Sequence, residues 1–494
     1  MPTVTTAEMR ELERAAMDAG WSERDLLESA GTSLGHAIGR CFGKPCTGIG
    51  YLGKGHNAGD VVVALSVLRG TYGWRTGLRM AFPPEQCAPL LTEKLEAFPF
   101  DYDLKSVPSR TPLVLLDGLL GIGASGPLRG PVRMLAREMN LRRETTGARV
   151  IAVDGPTGVN ADTGEADPDA VVADATFMIA HAKAGLILGV AVRHTGSLVE
   201  VPVPALAFDR AGRMELTSPR IYGVSRSRRN PDTHKGQAGR VSLIVGSPDF
   251  PGAAVLAGTG ALRAGAGLIT LHVPEVAYQA VVAKAPPELI VRSYRSVRDL
   301  KHLQADAIGI GCGMGDLSSS NATALLQLIS ETDVPAVLDA DALNLLAKTD
   351  RLDLHSENHI LTPHPGEFAR LAPELAGMTR ETAARTFADR FPGVLLLKGA
   401  RTIVTQRDAP LLLNPTGTPG MATGGQGDLL TGVIAALCAS GLPPLGAAAQ
   451  AAWLCGHASE MAIRHGGQSE ESLTPSDTAC HFGAAFEAWR AGLR

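Results

Sequence analysis

From about residue 46 onward, short apolar runs alternate with glycine-rich turns and with stretches of helical spacing: TGIGYLG then VVVALSVLRG, TPLVLLD, ARVIAVD and ADATFMIAHAK. That rhythm predicts a mostly parallel sheet covered by helices. Ahead of it, Thr5 and Glu8 have the spacing of a capping box, and the apolar residues that follow recur at helical intervals, so an N-terminal helix is expected. The pattern fails between roughly Pro202 and Asp232, where VPVPALAFDRAGRMELTSPR and SRSRRNPD present no periodic face. A linker and the entry to a second domain fit that stretch. Alternation then resumes in GRVSLIVGS, AVLAGTGALRAGAGLITLHV, DAIGIG, PAVLDADALNLLA, HILTPHPGEF and GVLLLKGARTIVT. Two α/β domains are expected, over residues 1–210 and 220–494.

Composition narrows the functional classes. The chain has 494 residues, 45% hydrophobic and 19% charged, which suits large cores and not disorder. A net charge of -4 and 4% aromatic residues leave no electrostatic or stacking footprint for nucleic acid or an anionic membrane. The seven cysteines are odd in number and form no CxxC pair. A disulfide framework or zinc site is therefore not expected, and a reducing, cytoplasmic setting is. The opening MPTVTTAEMRELERAAMDAG lacks the apolar core of a signal peptide. The richest apolar stretch, Leu429 to Cys455, is interrupted by Gly441, Pro443 and Pro444, so no membrane span is expected.

Three turns carry candidate chemistry in the first half. GKGHNAGD, Gly53 to Asp60, lies between a predicted strand and helix, where glycines admit close backbone approach and a helix N-terminus favours an anion. An ordinary strand-to-helix turn would read similarly, and the Walker pattern is absent. LLDGLLGIGASGPLRG contains a literal GxGxxG at residues 121–126, but Pro127 follows at once and no helix opens there, which argues against a dinucleotide fingerprint. VDGPTG places Asp154 at a strand end as Asp117 is placed in the preceding motif. Ligands of doubly wound sheets bind outside such ends, and the oxygens of Asp60, Asp117, Asp154, Asn57 and Thr157 would suit a hard cation. Turn-forming Asp residues would give the same pattern.

In the second half the sharpest signal is ATGGQGDLLTGVIAAL, where Gly424, Gly425 and Gly427 precede Asp428 and a helix. Backbone N–H groups at such a helix start form an anion hole for phosphoryl charge, and Asp428 is placed to take a proton from an attacking hydroxyl. A simple capped helix would need less glycine and threonine than NPTGTPGMATGG supplies. KGARTIVT reads as a β-hairpin whose Lys398 and Thr402 could touch phosphates. His364 sits in the Pro-constrained TPHPGE, Asp339, Asp341 and Asn344 in LDADALN, and Ile308 to Gly315 is a further glycine-rich strand end.

The motifs HNAGD, DGLLGIG and DGPTG, with TAEMRELERAA and LLESAG, resemble the NAD(P)H-hydrate epimerase family over most of residues 1–210. HKGQAGR, PGAA with ALRAGAGL, DADALN, TPHPGE, KGART and the GQGD turn resemble the ADP- or ATP-dependent NAD(P)H-hydrate dehydratases of the ribokinase-like superfamily, over residues 234–486. The resemblance implies a Rossmann-like three-layer α/β/α domain followed by a ribokinase-like α/β domain. It implies a bifunctional enzyme that interconverts the R and S hydrates of NADH and NADPH and dehydrates the S form with phosphate release. For the first domain it implies potassium held by Asn57, Asp117 and Thr157. Substrate contacts would come from His56, Asn57, Ala58, Gly59 and Asp60, from Gly121, Ile122, Gly123, Ala124, Ser125, Gly126 and Pro127, and from Asp154 as the acid–base group. For the second it implies Mg²⁺ with ADP or ATP, the fused architecture pointing to ADP. The hydrate would meet Ala254, Gly313, His364 and the catalytic Asp428, and the nucleotide would meet Lys398, Gly399, Ala400, Arg401, Thr402 and Gly427. Expected partners are these small molecules and further copies of the chain, with neither nucleic acid nor membrane. His56, Ala58 and Val61 depart from the epimerase pattern, Ser29 stands where Asn is common, and Gln426 replaces a usual Ser. An alanine at position 58 would be strained if that position required positive φ. Two other readings share these motifs: a small-molecule kinase that keeps its phosphorylated product, and a first half that binds without catalysing.

Overall fold

The computed structural model describes residues 2–98, 112–207, 214–219, 229–300, 303–354 and 356–492. Much of the expected linker, 208–213 and 220–228, lies outside these residues. The chain divides into two compact units, Met1–Met214 and Glu215–Arg494.

The first unit is built on a six-stranded sheet in which every pairing is parallel. In space its strands run Arg75–Met80, Thr47–Leu52, Leu113–Gly118, Arg149–Val153, Ala175–Ile179, Ser197–Val201. Thr47–Leu52 is buried at every position, as a parallel strand covered on both faces must be. Leu52, Val114 and Leu116 face one core with Leu34, Ile38, Val61 and Leu65 of the helices Glu23–Phe42 and His56–Tyr72. Ile49, Tyr51 and Leu115 face the other with Leu135 and Met139 of the helix Gly130–Thr146. The result is the expected three-layer α/β/α arrangement. Strand order reverses between Thr47–Leu52 and Leu113–Gly118, which makes their carboxyl ends the topological switch point. The expected N-terminal helix is Thr6–Asp18, closed by the Thr5–Glu8 capping box. Just before it, Thr3–Val4 pairs in parallel with Ala182–Lys183.

The second unit holds a ten-stranded sheet. Ile290–Tyr294, Leu268–Pro274, Arg240–Ile244, Ala307–Ile310, Ala336–Leu338, His359–Leu361 and Val394–Leu397 pair in parallel. Ile403–Thr405 and Leu411–Leu413 extend it antiparallel, and Met214–Leu216 forms the edge. The hairpin read from KGARTIVT is present, with Lys398–Thr402 as its loop. Here the order reverses between Arg240–Ile244 and Ala307–Ile310, and Gly246 N–H donates to Cys312 O across that point at 2.8 Å. The helices Pro251–Arg263 and Gln426–Ala439 pack backbone to backbone. A Cβ on Gly432 would stand 1.9 Å from Ala257 O, and one on Gly260 would stand 2.2 Å from Leu429 O. Small residues at those positions set the depth at which the Asp428 helix seats. Among the described residues no helix is long and apolar enough to cross a membrane.

Candidate active sites

At the first switch point the three predicted turns meet. Gly53 lies so close to the next strand's exit that a Cβ would stand 1.8 Å from Leu119 O. Asn57 donates its amide to Leu120 O at 2.8 Å and to Val153 O at 3.1 Å, tying all three turns together. Asp117 is fully buried; it accepts from Thr157 N–H and Thr157 Oγ1, each at 2.7 Å, and from Leu119 N–H at 3.2 Å. Burial pushes its carboxyl up to about 6, partly offset by those hydrogen bonds, and no cationic side chain among the described residues acts on it. Asn57, Asp117 and Thr157 are thus brought together.

Asp154 stands beside this cluster in the left-handed region, φ 62°. A non-glycine residue is held there only when its surroundings over-determine it. Asp154 Oδ1 accepts from Ile179 N–H at 2.9 Å and pairs with Lys183 Nζ, which also donates to Ile179 O at 3.0 Å. The Lys183 side chain is wholly buried. Burial pushes the Asp60 carboxyl well up, and the Asp154 and Glu13 carboxylates add to that. Glu13, from the N-terminal helix, is raised by burial and then by Asp154. No motif marks Glu13 or Lys183 in the sequence; the one signal for Lys183 is a lysine closing the apolar run FMIAHAK.

His56 opens the helix His56–Tyr72 from an exposed position and pairs with Glu23 at 2.7 Å. Ala58 is helical and buried, not at positive φ, so its replacement of glycine carries no backbone strain. Gly59 faces Leu27 of the neighbouring helix, where a Cβ would stand 2.6 Å from Cδ1. A cleft of ≈ 540 Å³ opens beside the cluster, lined by Gly121, Ile122, Ala124, Ser125, Gly126 and Pro127 on one side and by residues 155–161 on another.

In the second unit, Gly425 (φ 93°) turns the chain into the helix Gln426–Ala439, placing Asp428 in the first turn among N–H groups that lack intrahelical partners. Burial pushes the Asp428 carboxyl up to about 6; Asp339 and Asp341 raise it, while the Cys312 thiol and Lys398 lower it. Asp339 is buried and caps the helix Ala340–Thr349, accepting from Ala340 N–H at 2.9 Å, Lys398 Nζ at 2.7 Å and Thr431 Oγ1 at 3.0 Å. Lys398 Nζ also lies 3.8 Å from Glu367 Oε2. A Cβ on Gly427 would stand 3.4 Å from Lys398 Nζ and 3.5 Å from Asp339 Oδ2, so the ion pair lies directly against the anion hole. Of the hairpin loop, Lys398 points to these carboxylates. Arg401 is buried with Nη1 on Pro415 O at 3.3 Å, and Arg380 holds Ala400 O at 2.8 Å. Gly399 and Thr402 complete the turn, with Thr402 Oγ1 on Gly399 O at 3.2 Å.

His364 caps the helix Pro365–Leu371: its Nδ1 accepts from Gly366 and Glu367 N–H, and His364 N–H donates to Glu367 Oε2 at 2.8 Å. Its Nε2 is therefore the protonated nitrogen, on an exposed side chain. At the second switch point Gly313 lies against Ala253, where a Cβ would stand 2.7 Å from Ala253 Cβ, while buried Ala254 lies against Gly246, where a Cβ would stand 2.9 Å from Ala254 Cβ. The Asp339–Lys398–Glu367 network and Cys312 were not read as a unit from sequence, because their positions are far apart in the chain.

Two family models match the chain. One described as NAD(P)H-hydrate dehydratase covers residues 241–479, and one described as YjeF-related protein N-terminus covers residues 23–185. A bifunctional NAD(P)H-hydrate repair enzyme of Coxiella burnetii is 33% identical over 96% of this chain and 97% of its own length. Another of the same description, from Moorella thermoacetica, is 36% identical over 95% and 94%. A ribokinase-like superfamily protein of Enterococcus faecalis superposes with a TM-score of 0.50 at 24% identity, over 57% of this chain and 99% of that one, a likeness of fold.

Proposed function

This chain belongs to the bifunctional NAD(P)H-hydrate repair enzymes, and from that premise we propose how its two units divide the work. The first unit interconverts the epimers of the hydrated nicotinamide ring, with Asp154 as its acid–base group. Lys183 Nζ and the Ile179 N–H hold that carboxylate in place. Asp117 supports a potassium site: it is a buried carboxylate without a cationic partner among the described residues, beside Thr157 Oγ1 and beside Asn57, whose amide nitrogen is occupied by two carbonyls. Bound there, potassium supplies the missing counter-charge at the meeting point of three turns.

The second unit dehydrates the S epimer. Asp428 accepts the proton of the ring hydroxyl as its oxygen attacks the terminal phosphoryl group of ADP or ATP. The new O–P bond forms while the bridging P–O bond breaks, releasing AMP or ADP. Phosphate then leaves with the ring C–O bond as the adjacent ring carbon loses a proton, and the dihydronicotinamide is restored. The first-turn N–H groups and the Lys398 charge behind Gly427 receive the developing phosphoryl charge. Asp339 and Asp341 are already engaged by Lys398, Thr431 and Gly315 N–H, so magnesium is expected on the nucleotide's phosphates and not in a protein cage. The observation that carries this reading is Asp428 itself: a carboxyl raised to about 6 in the first turn of a helix, suited to act as a base near neutral pH.

The fused architecture favours ADP, the free cysteines fit a reducing cytoplasm, and self-association completes the proposal. The test is ultraviolet absorbance at the dihydronicotinamide band, with the full chain, Mg²⁺, ADP or ATP, and mixed NADH-hydrate epimers. Recovery of NADH from both epimers with phosphate release is expected. Recovery of the S share alone would make the first unit a binding module, and no recovery with either nucleotide would return the second to a kinase.

A further inference from the structure

The N-terminal helix Thr6–Asp18 buries only Met9 and Ala16, yet it is fastened at the candidate epimerase site. Thr6 N–H donates to Asp162 Oδ1 at 2.7 Å, and Thr6 Oγ1 donates to the other oxygen. The preceding Thr3–Val4 pairs with Ala182–Lys183, the segment that carries the buried lysine, and one helical turn past Arg10 the Glu13 carboxylate feels Asp154 and Lys183. Between these fastenings Arg10 lies against the bare Cα of Gly123, where a Cβ would stand 2.7 Å from Nη2. Gly123 is the one residue of Gly121–Pro127 that does not line the ≈ 540 Å³ cleft, and the Arg10 guanidinium covers it. Arg10 makes no hydrogen bond or ion pair among the described residues; its charge acts on Glu13 of its own helix. An arginine left with its donors open at the rim of a glycine-rich loop matches the fork geometry that phosphate oxygens require.

We propose that Arg10 is a substrate-binding residue of the epimerase unit that receives a phosphate of the hydrated dinucleotide where it crosses the Gly121–Pro127 loop. This rests on the epimerase reading above. The phosphate is either one of the bridging pyrophosphate, common to both substrates, or the 2′-phosphate carried by the NADPH form alone. The phosphate is remote from the reacting carbon and is held equally in the ground and transition states, so loss of its contact appears in KM.

The test is epimer interconversion by the full chain without ADP or ATP, which leaves the dehydratase idle, followed chromatographically for NADH and NADPH hydrates. Arg10→Ala is expected to raise KM by about tenfold or more at little change in kcat, the effect of losing one charged hydrogen bond, and Arg10→Lys to recover part of it. An equal rise for both substrates assigns the pyrophosphate; a rise for the NADPH hydrate alone assigns the 2′-phosphate. An unchanged KM, or a fall in kcat at constant KM, overturns the proposal. The melting temperature of each variant separates a loosened helix from a lost contact: a drop that accompanies the KM change in Arg10→Lys as fully as in Arg10→Ala also overturns it. A wild-type chain that leaves the epimers unchanged would refute the epimerase reading, and this inference with it.

Discussion

Replacing Lys398 by Met removes the cation that sits between Asp339, Glu367 and the anion hole. Lys398 Nζ is 2.7 Å from Asp339 Oδ1, with the two side chains 20% and 3% exposed. Breaking a buried pair from one side costs about 3–5 kcal/mol, and the partial exposure of the lysine places this case toward the lower end. The larger consequence is for the base. Lys398 holds the Asp428 carboxyl down and Asp339 holds it up, around a value of about 6. A unit charge about 6 Å from a carboxylate is worth roughly 3 kcal/mol at an effective dielectric of about 20, and one pH unit corresponds to about 1.4 kcal/mol. Allowing for screening, the shift is about 1–2 units. Asp428 works deprotonated, so kcat/KM of the wild-type dehydratase should fall as pH drops through about 6. In Lys398→Met that acidic limb should move up by about 1–2 units. In Asp339→Asn it should move down, because a like charge has gone. The assay is kcat/KM for NADH release from the S hydrate across the acid-to-neutral range, at saturating nucleotide and constant ionic strength. If both variants move the limb in the same direction, or neither moves it, Lys398 and Asp339 do not set the Asp428 carboxyl electrostatically.

Asp428→Asn should lower dehydratase kcat by about 10²–10⁴-fold while nucleotide binding, read by calorimetry, is kept. Lys183→Met leaves the half-buried Asp154 carboxylate without its cation; epimer interconversion should be lost and the first unit destabilised, toward the lower end of about 3–5 kcal/mol, in denaturant titration. Ala58→Gly, which restores the residue usual in the family, should not improve epimerase activity; it should cost about 0.5–1 kcal/mol or more, because position 58 is a buried helical one. Gly432→Ala must push apart two helices where a Cβ would stand 1.9 Å from Ala257 O, and should lower both the melting temperature and dehydratase kcat.

Sequence alone determined the class of fold, the capping box of Thr5 and Glu8, the hairpin of KGARTIVT and the glycine-rich turns, because each is a local device with a period or spacing of its own. It also placed Asp117, Asp154 and Asp428 at strand or helix ends, where sheet topology delivers ligands. Tertiary structure decided what those residues face. From the sequence, Ala58 is strained only if its position requires positive φ; in the fold it is an ordinary helical residue, since φ is set by where the helix begins. Lys183 lies 29 positions from Asp154, and Lys398 lies 59 from Asp339. No local pattern links such pairs; only strands laid side by side bring them within hydrogen-bonding reach. The electrostatics follow the same division. A carboxylate's identity is written in the chain, but its burial and its neighbours raise Asp117 and Asp428 to about 6, and both are properties of the packed molecule.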